Sequence, residues 1–223
     1  MGTMTDNFTD TSGTLLSAHT TDSAHTWVLG PSATGTMSIH TSGTEAYGNA
    51  TARYYSTFVP ATADYTITMV ISAITSGDVS EGILARMSTT DQTYYWFFWH
   101  SGNARWELRQ YVSGTPSDLD TYSGDSPIGA TPMTMTVEIT DAAKILKING
   151  VTRINYTATN TITAAGRPGI VGGDNGTADR VDSYVVTEAA GGSAALPGTD
   201  TASVAETDVV RPVSVTLSIQ ESG

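Results

Sequence analysis

Met133-Thr134-Met135-Thr136-Val137-Glu138-Ile139-Thr140 alternates apolar and polar side chains without a break. An extended chain points successive side chains to opposite faces. Met133, Met135, Val137 and Ile139 therefore share one face, and Thr134, Thr136, Glu138 and Thr140 share the other. A period of two with one greasy face is what a half-buried sheet strand requires. Residues 64–74 repeat the pattern, with Tyr65, Ile67, Met69 and Ile71 set against Thr66, Thr68 and Ser72. Shorter runs at 27–29, 35–40, 52–59, 81–87, 93–100, 104–112, 169–172 and 180–187 read as further strands, and no long helical period interrupts them. The fold class is all-β.

Turn residues punctuate these runs. Pro60 ends the strand that carries Tyr54, Tyr55 and Phe58. Asn149-Gly150 sits between two β-rich runs and predicts a hairpin, because both central residues need positive φ. Residues 113–132 hold Gly114, Pro116, Gly124, Pro127, Gly129 and Pro132 and read as one long surface loop. Composition shifts after 188. Residues 189–202 are small and form a linker. Residues 203–223 hold a last alternating run, Val213, Val215, Leu217 and Ile219 against Ser214, Thr216 and Ser218. The division is thus a sandwich over 1–188, a flexible linker over 189–202 and a β-arm over 203–223. A lone strand is unstable in water. The arm pairs with its own domain, with another copy or with a larger assembly, unless it is a disordered tail or the start of a further domain.

The chain of 223 residues is long enough for one full sandwich core. It has no cysteine, so neither disulfides nor thiolate metal sites are available. Ten basic against 22 acidic residues repel phosphate backbones, which argues against nucleic acid as a partner. No apolar run approaches the ~20 residues of a membrane-spanning helix. The N-terminus has neither a basic start nor an apolar stretch, so no signal peptide is expected.

Certain residues resemble a known superfamily. Asp6-Asn7-Phe8, Gly13-Thr14-Leu15-Leu16, His19-Thr20 and Trp27 resemble the opening of concanavalin A-like (laminin-G-like) jelly rolls found in bacteriophage virion proteins. Gly82-Ile83-Leu84-Ala85-Arg86, Tyr94-Tyr95-Trp96-Phe97 and Trp106-Glu107-Leu108 look like that superfamily's paired central strands. Lys147-Ile148-Asn149-Gly150 looks like its hairpin. Gly166-Arg167-Pro168-Gly169-Ile170 with Val181-Asp182-Ser183-Tyr184-Val185-Val186 looks like its closing strand pair. The resemblance covers about 5–188 and implies a jelly-roll β-sandwich. It also implies a non-catalytic virion structural protein, made in the host cytoplasm and carried on the virion surface. Such a protein would decorate the capsid or join the tail by adhesion. Its partners would be the major capsid or tail protein and further copies of itself, with a trimer as the guess. The alternative is a carbohydrate-binding module that attaches a particle to host glycans; the fold alone does not choose.

The candidate surface is aromatic. On an extended strand Tyr94, Trp96, Phe98 and His100 share one face, and Tyr95, Phe97 and Trp99 share the other. One set is core, and the other lies on a surface or under a cover. Exposed flat rings stack on sugars and mark interaction sites. Trp106 and Tyr111 could extend the platform, so Tyr95, Trp96, Trp99, Trp106 and Tyr111 are the candidate ligand or partner residues. For the arm they are Val213, Val215, Leu217 and Ile219. No cofactor is called for. Asp174, Asn175 and Asp179 form a weak calcium candidate, against the plainer reading of an Asx turn. The four histidines are scattered, with His19 and His25 expected on the surface or in loops. Glycoside hydrolysis needs two carboxylates across one cleft. The E-x-D-x-x-E motif of the superfamily's glucanases is absent, so a hydrolase would have to rest on Glu81, Glu107 or Glu138, and none is expected.

Overall fold

A computed structural model describes residues 2–48, 52–75, 79–157, 161–173 and 178–189. Asp174, Asn175, almost all of the expected linker and the arm with Val213, Val215, Leu217 and Ile219 lie outside the described residues. In chain order the strands are β1 (Thr3–Asp6), β2 (Trp27–Leu29), β3 (Met37–Ile39), β4 (Ala46–Gly48), β5 (Arg53–Ser56), β6 (Tyr65–Ala73), β7 (Val79–Met87) and β8 (Tyr94–His100). Then come β9 (Arg105–Val112), β10 (Thr115–Tyr122), β11 (Met133–Ile139), β12 (Lys144–Ile148), β13 (Val151–Tyr156), β14 (Arg167–Val171) and β15 (Arg180–Glu188). Among the described residues the helical elements with full ranges are two short 3₁₀ turns, Leu16–Ala18 and Ser101–Asn103.

The strands make two antiparallel sheets. One runs β13-β12-β11-β6-β15-β4-β3, with β1 added on β15. The other runs β10-β9-β8-β7-β14-β5-β2. Their inner faces form one core, as the jelly-roll reading expects. The alternating runs explain the register. Met135 lies opposite Met69 on β6 and Ile148 on β12; Val137 lies opposite Ile67 and Leu146. A slip of one residue would send all of these side chains to the wet face. The other face carries Glu138 paired with Lys147, and the Thr68 and Thr136 hydroxyls in contact.

The Asn149-Gly150 hairpin forms as expected, with φ of 49° and 80° and Ile148 opposite Val151. The long-loop reading of 113–132 is corrected. Its first half is edge strand β10, antiparallel to β9. The turn is Ser113-Gly114, both at positive φ (48° and 86°), which is hairpin geometry carried by a less familiar dipeptide. Pro116, Asp118 and Asp120 hid the strand, because an edge strand tolerates proline and charge that a central one rejects.

One core position is costly. The Lys144 ammonium is fully buried and has no hydrogen-bond partner. It sits 5.3 Å over the Tyr95 ring. Burial and the nearby Arg86 charge push its pKa below the usual lysine value, against a smaller pull from Asp141. Lys144→Met keeps the stem and removes the unpaired ammonium. It is expected to raise stability by about 1 kcal/mol or more in urea unfolding; a loss of that size would show that the ammonium is a net stabilising contact.

Candidate functional site

Strand β8 is buried on both faces. Tyr95, Phe97 and Trp99 point into the inter-sheet core with Trp106 and Leu108 of β9. This corrects part of the predicted platform: Tyr95, Trp99 and Trp106 are interior, at 1%, 2% and 0% exposure. Tyr95 donates no surface either, since its hydroxyl faces the Ile162 amide at 3.3 Å. Trp96 and Tyr111 belong to the opposite, outer face of the seven-stranded sheet. There Leu84, Met87, Tyr94, Trp96, Phe98 and Val171 make a second apolar cluster, with Tyr55 and Tyr111 packed on it.

That cluster is a floor beneath a polar layer. The Trp96 ring stacks on Phe98 with centroids 3.9 Å apart, and Tyr111 stacks on Tyr94 at 4.8 Å. Gly82 makes the indole's position possible. A Cβ there would stand 2.8 Å from the Trp96 Nε1 and 2.5 Å from the Phe97 carbonyl oxygen. Above the rings, the Arg109 guanidinium lies 5.3 Å from the Phe98 centroid and that of Arg53 lies 6.0 Å from Tyr94. The segment after β2 folds over one end of the face. A Cβ on Gly30 would meet the Met87 Cε at 2.2 Å, and Ser32 lines a cavity of about 290 Å³ with residues of the β7–β8 and β9–β10 turns.

The face concentrates positive charge on an acidic protein. Arg53, Arg105, Arg109 and Arg167 are four of the ten lysines and arginines in a chain of net charge −12. Their alternation on β5, β9 and β14 places them on this side. Glu107 sits among them with its side chain 1% exposed. It accepts hydrogen bonds from Arg105 Nε at 2.8 Å, Arg109 Nη2 at 2.9 Å and His100 Nδ1 at 2.9 Å. Burial pushes the Glu107 carboxyl up, but the bonds from His100, Arg105 and Asn103 and the Arg109 charge outweigh it and hold it below the usual carboxylate range. Arg109 also donates to Asp118 on β10 at 2.5 Å. Planar guanidiniums, a fixed carboxylate and flat rings side by side are groups that hydrogen bond to hydroxyls and stack on pyranose faces.

A second polar cluster is structural. His19, expected on the surface, is buried. Its Nε2 lies 2.8 Å from Asp6 Oδ1 and its Nδ1 lies 3.0 Å from Asp10 Oδ2. Carboxylates only accept, so both ring nitrogens donate and the ring is an imidazolium. Asp6 also accepts from the Phe8 amide at 2.8 Å and the Trp27 indole at 2.7 Å. The residues that carry the opening resemblance, Asp6, Phe8, His19 and Trp27, thus converge on one buried knot. Sequence separation hid it.

Other carboxylates lie away from this face. Glu138 is on the wet face of β11. Asp179 accepts from the Thr75 amide at 2.8 Å and flanks Gly173 together with Glu81. Among the described residues no group of three or more His, Cys, Asp or Glu is placed to hold a metal ion.

No protein-family model and no curated protein matches the chain. Solved structures do. A carbohydrate-binding module, CBM66 from Bacillus subtilis, aligns with a TM-score of 0.55 at 12% identity, over 73% of this chain and 92% of that one. The apo Crh5 transglycosylase aligns at 0.57 and 14%, over 85% of each chain. The exoplasmic/lumenal domain of VIP36 in its Ca2+/Man-bound form aligns at 0.53 and 9%, over 84% and 90%. These likenesses establish the fold, a concanavalin A-like jelly-roll β-sandwich.

Proposed function

We propose that this protein is a non-catalytic carbohydrate-binding domain, and that saccharide binds on the outer face of the seven-stranded sheet. The observation that carries the reading is the composition of that face: stacked aromatic rings under a layer of Tyr55, Tyr111 and four arginines, two of which, Arg105 and Arg109, are held by the buried Glu107 carboxylate. The neighbours support it, since two of the three described above are a carbohydrate-binding module and a protein in a Man-bound form. Catalysis has less behind it. Retaining and inverting glycosidases need a second carboxylate across the bond, and Glu107 is tied to cationic donors. Screening the full chain on a glycan array tests the reading. Tyr111→Ala, which removes a half-exposed ring, is expected to weaken the best hit about tenfold or more with an unchanged melting temperature. Silence across the array would sink it.

A second reading keeps the virion role. It is supported by the resemblance of 5–188 to phage jelly rolls and by the strand pattern of 213–219, which suits pairing with a second chain. The two are compatible: a domain carried on a virion surface by its arm can offer its sheet face to host glycans. Stable attachment to particles without any glycan bound would favour adhesion between subunits alone.

A further inference from the structure

The outer face holds three buried hydrogen-bond donors that no described residue accepts: Arg53 Nε, the Tyr94 hydroxyl and Trp96 Nε1. They belong to one cluster. Tyr94 and Trp96 are neighbours on the same side of β8, and the Arg53 guanidinium lies over the Tyr94 ring. Indole and guanidinium nitrogens only donate. Burial raises the Tyr94 pKa to about 12, against a smaller opposing effect from the Arg53 charge, so its hydroxyl keeps its proton. Arg53 also differs from its neighbours. Arg105 and Arg109 are matched by Glu107 and Asp118, whereas Arg53 has no carboxylate partner among the described residues. Leaving a buried donor unpaired is costly, and leaving a charged one unpaired costs more. Three donors and one unmatched positive charge within one cluster are complementary to an anion with two acceptor oxygens.

We propose that this part of the outer face takes the carboxylate of an acidic sugar residue, with the Arg53 guanidinium, the Tyr94 hydroxyl and the Trp96 indole as its donors. The proposal rests on the saccharide reading above and specifies its substrate class. The net charge of −12 favours this ligand over a polyanion. Dense phosphate or sulfate chains are repelled by the protein as a whole, while one carboxylate on an otherwise neutral glycan meets only the local arginines. Ring stacking on Tyr111 and Tyr55 then serves the neutral part of the chain.

Titration calorimetry of the full chain tests this with a hexuronate trisaccharide, its methyl ester and a neutral trisaccharide of the same linkage. The acid is expected to bind about tenfold or more tighter than the ester, the worth of one charge-assisted hydrogen bond. Higher ionic strength should weaken the acid and spare the ester. Arg53→Gln should erase the preference. Tyr94→Phe, which deletes one oxygen and no volume elsewhere, should reduce it several-fold with a melting temperature equal to or above that of wild type. Equal binding of acid and ester overturns the inference and leaves the saccharide reading standing. Binding of no sugar at all removes both. Displacement of the acid by acetate or inorganic sulfate at matching affinity shows an adventitious ion only, and also overturns it.

Discussion

Asp6→Ala is expected to destabilise the domain by about 3–5 kcal/mol, a large share of the 5–15 kcal/mol that holds a typical domain together. The Asp6 carboxylate is fully buried and serves His19, the Phe8 amide and the Trp27 indole at once. Removing it leaves the His19 Nε2–H, the Phe8 amide and the Trp27 indole without their acceptor where water does not reach, with Asp10 alone still facing the ring. Asp6→Asn keeps the shape but only one acceptor oxygen, so it should fall between wild type and alanine. Urea unfolding followed by Trp fluorescence reads the difference; a cost under about 1 kcal/mol would mean that the knot relaxes into solvent.

The same knot sets a pH dependence. Burial alone would lower the His19 pKa, but hydrogen bonds from the ring to Asp6 and Asp10, with their charges, outweigh it and raise the value above the ordinary 6.5. A histidine whose folded pKa is raised contributes stability that is fully present below 6.5 and is lost as pH rises through the folded value. The stability gap between wild type and His19→Gln should therefore shrink steadily above pH 6.5. A gap that widens with pH would show that the ring is neutral in the folded protein. Asp10 adds the opposite edge. Its pKa is lowered by the hydrogen bond from His19 and the Thr11 amide, so its contribution fades as pH falls.

What could be read from the amino acids follows from the range of the interactions. Strands β6 and β11 were legible because alternation is local and each buries one face against the other sheet. The Asn149-Gly150 turn was legible because two residues set it. Strand β8 was legible as a strand with two sets of side chains, but which set faces the core was not, because Tyr94 to His100 is apolar at nearly every position and both faces are covered. Nothing local says that Trp96 looks outward while Trp99 and Trp106 meet at 5.4 Å inside. Edge strand β10 failed for the opposite reason, being polar on nearly every residue. The Glu107 network was half legible. Arg105, Glu107 and Arg109 alternate on one strand, which alone places them on one face. The donors around Arg53 were not legible, since β5 and β8 are brought together only by the sheet order β8-β7-β14-β5.

That division of β8 allows a paired experiment. Trp96 and Phe97 are adjacent, nearly or fully buried, and on opposite faces. Truncating either to alanine removes an aromatic side chain from a packed setting and is expected to cost about 3–5 kcal/mol. Stability alone will not tell them apart. Binding should. Phe97→Ala opens a cavity between the sheets and leaves the Trp96, Phe98 and Tyr111 rings where they are, so the folded fraction should bind glycan as wild type does. Trp96→Ala withdraws the ring on which Phe98 stacks and against which Tyr111 leans, and frees Arg109 and Tyr111 to collapse into the gap. Its folded fraction should lose affinity by more than tenfold, since it forfeits stacking area and the preorganised arginines together. Both measurements belong well below the midpoint of the weaker variant, with the folded fraction taken from unfolding curves. If Phe97→Ala loses binding and Trp96→Ala keeps it, the ligand site is elsewhere on the sandwich and the outer face is simply a second core.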